Sequence, residues 1–100
     1  MKLTNEFEPV RKWAEERDIF TEGTVEGQFD KLKEEVREVR EAIDSDNDEE
    51  FIDAIGDTII SAINLAKIKG FDAEYCVNEA FSVIKDRQGK MIKGIFIKEK

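Results

Sequence analysis

The sequence predicts an all-α chain, a bundle of four helices followed by a short extended tail. Two observations lead there: apolar residues return every three or four positions through most of the chain, and only six glycines and one proline interrupt them. A third bounds the result. One hundred residues, 40% of them apolar, suffice for one core and leave no room for a second, which makes residues 1–100 a single expected domain.

The first helix is expected over residues 4–18, where Phe7, Val10, Trp13 and Ala14 fall at helical spacing and Thr4 suits the N-cap. A turn at 21–23 ends it. The second, over 24–44, carries Val25, Phe29, Leu32, Val36, Val39 and Ile43 in alternating steps of four and three, an apolar seam. Residues 44–48 break that pattern, with Asp46 or Asp48 placed to cap a third helix over 49–69 that Gly70 closes. Asp72 is the expected cap of the fourth, whose apolar face is Ala73, Val77, Ala80, Phe81 and Ile84 and whose natural stop is Gly89. Beyond it, residues 91–98 suit two short extended pieces about Gly94, too little for an independent sheet.

Charge and composition narrow the chemistry. Sixteen basic residues against 24 acidic ones give a net charge of −8, which disfavours bare nucleic acid as a partner. Histidine is absent and Cys76 is the single cysteine, so histidine-dependent triads, histidine-ligated zinc and an intrachain disulfide are all excluded. What remains is carboxylate, lysine, arginine, hydroxyl or hard-metal chemistry. No stretch reaches the roughly 18 apolar residues of a membrane span, and residues 1–20 lack the apolar core of a signal peptide. A cytoplasmic protein without membrane partners is expected.

The carboxylates of the second and third helices are the candidate site. At about 100° per residue, Gln28, Lys31, Glu35, Glu38 and Ala42 form one stripe of the second helix, with Glu34 and Glu41 nearer its opposite side. On the third, Glu50, Asp53, Asp57 and Asn64 share a stripe opposed to Ile52, Ile55, Ile59, Ile63 and Ala66. This helix is apolar nearly all round, which implies burial, and a carboxylate buried there must be paired or hold a metal. Antiparallel packing across the short loop would bring Glu35 and Glu38 opposite Asp53 and Asp57, and all-oxygen ligation favours Mg²⁺ or Mn²⁺. The plainer alternative is a solvated face, with Lys31, Lys33, Arg37 and Arg40 as neighbours one turn away. An EF-hand at 44–55 is excluded, because Glu49 stands where glycine is needed and Ile55 where a glutamate belongs.

Residues 28–38, with Glu34-Glu35-Val36-Arg37-Glu38 at their end, followed by Asp53-Ala54-Ile55-Gly56-Asp57, resemble the signature of MazG-like nucleotide pyrophosphohydrolases. The likeness covers most of the chain, and residues 85–91 with Gly94 and Lys98 resemble the endings of short stand-alone members, phage-encoded ones included. The resemblance implies the all-α MazG four-helix fold and cleavage of nucleoside triphosphates between the α and β phosphates, giving a nucleoside monophosphate and pyrophosphate. It implies Mg²⁺ held by Glu35, Glu38 and Asp57, with Glu34 in the same motif, and Glu35 or Glu38 as acceptor of the water's proton. One position departs from the pattern. Ala54 stands where the family usually has glutamate, which leaves the fourth ligand to Asp53 first and Glu50 second.

Phosphate contacts are expected from Lys31 and from Lys85, Arg87 and Lys90, since residues 85–100 carry a local charge of +4. Asn64 could bond a sugar or base, and Trp13 is read as a core residue ahead of a base-stacking one. The resemblance also implies a homo-oligomer, a dimer or a tetramer built as a dimer of dimers. Competing readings are a catalytically degenerate helical oligomerisation module of the same fold and a related phosphoribosyl-ATP or deoxyuridine triphosphate hydrolase.

Overall fold

The computed structural model describes residues 7–99, so the Thr4 cap lies outside the described residues. Five helices and a hairpin follow one another: α1 (Phe7–Glu16), α2 (Ile19–Glu22), α3 (Val25–Asp44), α4 (Asp48–Ile68), α5 (Ala73–Ile84), β1 (Gly89–Ile92) and β2 (Ile95–Lys98). The chain is mostly helical, as the periodicity predicts. Four helices were expected, and the fifth, α2, forms over residues 19–22, beyond the expected end of the first helix and overlapping the turn expected at 21–23. Asp18 adopts a left-handed conformation at φ 61°, the kind of position aspartate tolerates, and the single turn of α2 follows it.

The long helices are set by their ends. Thr24 caps α3 by accepting a hydrogen bond from the Gly27 amide at 3.0 Å. At the next boundary the cap is Asn47, whose side chain accepts from the Glu50 amide at 3.1 Å. This corrects the expectation of Asp46 or Asp48: Asp46 is spent on the left-handed turn at φ 52°, and Asp48 is the first helical residue. At the far end of α4, Gly70 at φ 100° lets its amide bond the Lys67 carbonyl and the Phe71 amide bond that of Ala66, a Schellman closure. Asp72 stands at the N-cap of α5, but its carboxylate accepts from Lys67 Nζ at 3.2 Å and makes no cap bond.

α4 is the central element, with α1, α2, α3 and α5 all packed on it and its longest contact along α3. The three-residue loop between α3 and α4 returns the chain antiparallel. The buried face of α3 takes in only Leu32 and Val39 of the predicted seam. Glu35 and Ala42 are buried, with Gln28, Leu32 and Val39 half-buried on the same stripe, whereas Val25, Phe29, Val36 and Ile43 stand exposed beside it. Against that stripe α4 buries Ala54, Ser61, Ile63 and Asn64 and leaves Ile52, Ile55 and Ile59 exposed. Burial of α4 on most sides is therefore not met within one protomer.

α1 is tied to α5 by Arg11, a buried guanidinium that bonds both Glu74 oxygens, at 2.8 and 2.7 Å, and also Glu8. The tail closes on itself as an antiparallel hairpin pairing Gly89 with Lys98 and Ile92 with Ile95. Positive φ at both Lys93 and Gly94 is the mark of a type I′ turn, whose twist suits two-residue hairpins. Among the described residues no helix is long and apolar enough to cross a membrane.

Candidate functional site

The antiparallel pairing of α3 and α4 leaves an open cleft of about 520 Å³ between them. Lys31, Glu35, Glu38 and Glu41 line it from α3, and Glu50, Asp53, Ala54 and Asp57 from α4. Six residues singled out in the sequence thus meet in one place: Lys31, Glu35, Glu38, Glu50, Asp53 and Asp57. Helical spacing accounts for the convergence, since steps of three, four and seven keep a side chain on one face.

The electrostatics of the cleft centre on Glu35. It is only 4% exposed; one oxygen accepts from Lys31 Nζ at 2.9 Å, and the other, Oε2, is buried with no hydrogen-bond partner. The Lys31 hydrogen bond holds the Glu35 carboxyl below its ordinary value against the opposing effect of burial, and raises the lysine in turn. Glu38 moves the other way. The neighbouring Glu35 carboxyl pushes it up, by hydrogen bonding to its neutral form first and then by its charge. Asp57 is also pushed up, by burial first and then by the charges of Asp53 and Glu35.

The donor set is all oxygen, and it includes a buried carboxylate atom that lacks a partner, so the residues present fit a hard divalent cation. In their present rotamers, among the described residues, no three acidic or thiol side chains are gathered closely enough to hold a metal ion. Lys31 Nζ occupies one oxygen of Glu35.

The remaining sequence candidates lie elsewhere. Glu34 is half exposed, off the cleft, 3.8 Å from Lys31 Nζ. Asn64 sits about two turns beyond Asp57 on α4, buried, its Oδ1 without a hydrogen-bond partner, and does not line the cleft. Lys85 caps the C-terminus of α5, Arg87 lies in the following turn and Lys90 is on β1; the hairpin makes no substantial packing with α3 or α4. Glu41 is the residue that sequence reasoning set aside. It was placed nearer the opposite side of its helix, yet it lines the cleft one turn beyond Glu38, and that spacing was its only signal. Ala54 lines the cleft too, so the departing position faces the other carboxylates.

The MazG nucleotide pyrophosphohydrolase domain matches residues 24–92. The chain belongs to this family. The MazG segment spans α3, α4, α5 and the first hairpin strand, and so holds every residue of the acidic cleft, while α1 and α2 precede it. No curated protein and no solved structure matches the chain.

Proposed function

We propose that the chain is a Mg²⁺-dependent nucleoside triphosphate pyrophosphohydrolase that cuts between the α and β phosphates, releasing a nucleoside monophosphate and pyrophosphate for nucleotide-pool control or clearance of non-standard nucleotides. The observation that carries it is the acidic cleft of a MazG domain with an unpartnered buried Glu35 oxygen at its wall. Glu35, Glu38 and Asp57 would hold the metal, with Asp53 or Glu50 serving where Ala54 offers no carboxylate; Mn²⁺ suits the same donors. When bound, magnesium supplies charge neutralisation for the triphosphate and Lewis acidity toward the attacking water. Lys31 would release Glu35 and turn to a phosphate oxygen. Glu35 or Glu38 accepts the proton of the water.

The second part of the proposal is a homo-oligomer, a dimer or a tetramer built as a dimer of dimers. Buried apolar residues among those described are Ala14, Ala42, Ala54 and Ile63, whereas Val36, Ile52, Ile59, Val77, Phe81 and both hairpin strands stand exposed. Apolar surface on this scale calls for a partner. In such an assembly Lys85, Arg87 and Lys90 would contact phosphate from a neighbouring protomer. One observation favours a second reading, a catalytically degenerate oligomerisation module: Ala54 stands in the cleft at a position where the resembled family usually has glutamate.

Pyrophosphate release from a panel of nucleoside triphosphates, with Mg²⁺ or with chelator, decides between the two. The expected result is metal-dependent release that Asp57→Asn abolishes, while the metal-free variant melts at or above the wild-type temperature because a repulsive carboxylate has gone. Silence across the panel together with an unchanged melting temperature in millimolar Mg²⁺ would favour the module.

A further inference from the structure

Lys31 is the one basic side chain among the residues that line the carboxylate cleft, set against six acidic ones. Its ammonium lies 2.9 Å from Glu35 Oε1 and 3.8 Å from Glu34 Oε1. The partners are unequal in exposure: the Lys31 side chain is half exposed, whereas that of Glu35 is almost wholly out of water. Helix stability does not account for the pair. With the lysine four residues ahead of the glutamate it runs in the less favourable order for an i,i+4 contact, since the helix dipole prefers the acid nearer the N-terminus. What the contact does is neutralise a buried carboxylate in a cleft otherwise lined by like charge.

A divalent cation on the free Oε2 would stand against the ammonium on Oε1, and like charges at that range repel strongly in a partly buried site. Lys31 has a flexible stem and a half-exposed head, so it can swing away, but its ammonium then needs another anion. Glu34, half exposed and 3.8 Å away, is a weak substitute. A phosphate oxygen is a strong one. Resting on the reading of the cleft as a metal and triphosphate site, we propose that Lys31 is a latch: it holds Glu35 while the cleft is empty and releases it when a phosphate oxygen receives its ammonium. The divalent cation and the polyphosphate are thus taken up together, and the cation alone is held off. By linkage each raises the affinity of the other by the same factor, on the order of 10-fold.

Binding without turnover tests this. Mg²⁺ alone is titrated by calorimetry into wild type, Lys31→Met, Lys31→Arg and Lys33→Met, and inorganic triphosphate is then titrated into each at one fixed free Mg²⁺ concentration. Lys31→Met should bind Mg²⁺ alone about 10-fold more tightly than wild type, and inorganic triphosphate more weakly. The opposite signs are the signature, because a merely structural loss would weaken both. Lys31→Arg, whose planar fork suits both oxygens of a carboxylate, should bind Mg²⁺ alone more weakly than wild type, and it decides the matter if Lys31→Met fails to fold. Lys33 carries the same charge on the same helix but pairs with Asp30 at 3.6 Å, off the cleft, so Lys33→Met should match wild type in both titrations. Unchanged Mg²⁺ affinity in Lys31→Met and Lys31→Arg, or an equal gain in Lys33→Met, would overturn the latch while leaving the metal reading of the cleft intact. If Mg²⁺ binds to none of the four proteins, with or without inorganic triphosphate, both fall together.

Discussion

Glu35 and Asp57 exchange the roles that the sequence suggests for them. Asp57, set in an apolar run, is half-buried beside the cleft, while Glu35, on a helix rich in charge, is the carboxylate removed from water. Their shifts carry opposite consequences for stability. Glu35 is held low, so its contribution is present above its ordinary value of 4.5 and lost as pH falls through the lowered one. Glu38 and Asp57 are held high, so they cost the metal-free fold stability as pH rises from the ordinary carboxylate range through their raised values. In the proposed site protons and Mg²⁺ would compete for the same oxygens. The rise in melting temperature that Mg²⁺ produces should accordingly be larger at pH 8 than at pH 5, as differential scanning fluorimetry against a chelator control can measure. A shift equal at both values would remove these carboxyls from the metal site.

At the scale of elements, boundaries follow from local chemistry and faces do not. Asn47 shows the first point: its cap bond to the Glu50 amide starts α4, so Asn47→Ala should cost about 1 kcal/mol in urea unfolding. Turnover per folded molecule should stay near the wild-type level, since Asn47 does not line the cleft and Glu50 is the one lining residue in the turn it caps. The apolar seam of α3 shows the second. Periodicity finds Val25, Phe29, Leu32, Val36, Val39 and Ile43 as one seam and cannot tell which edge of it is covered; Leu32 and Val39 are half-buried and the other four exposed. The buried stripe is the one that includes Glu35, and this choice brings the carboxylates to the cleft. The short α2 was missed because residues 19–22 make a single turn, too few for a helical period to show.

On the scale of the whole molecule the small buried core is the main fact. Among the described residues only Ala14, Ala42, Ala54 and Ile63 are buried apolar ones, and the proposed oligomer would cover the exposed isoleucines of α4 and the exposed part of the α3 seam. Sedimentation velocity at micromolar concentration should find a dimer or larger species, and Ile52→Glu, at a position 71% exposed in the protomer, should shift it toward monomer. A monomeric wild type would remove the oligomer from the proposal.

By itself the sequence determined the helical class, the extents of α3 and α4, the extended pieces about Gly94 and the carboxylate repeats that mark a MazG domain, because each is written in spacing and in local capping or turn chemistry. Tertiary structure decided which stripe of α3 is buried, that Glu41 and Ala54 also face the cleft, that Trp13, read as a core residue, stands 47% exposed, and that the basic hairpin stands away from the acidic site. The reason is physical. Spacing fixes the angle of a side chain about its own helix axis, whereas the partner it meets depends on how two helices are rotated against each other, and that rotation is set by the sum of many packing contacts.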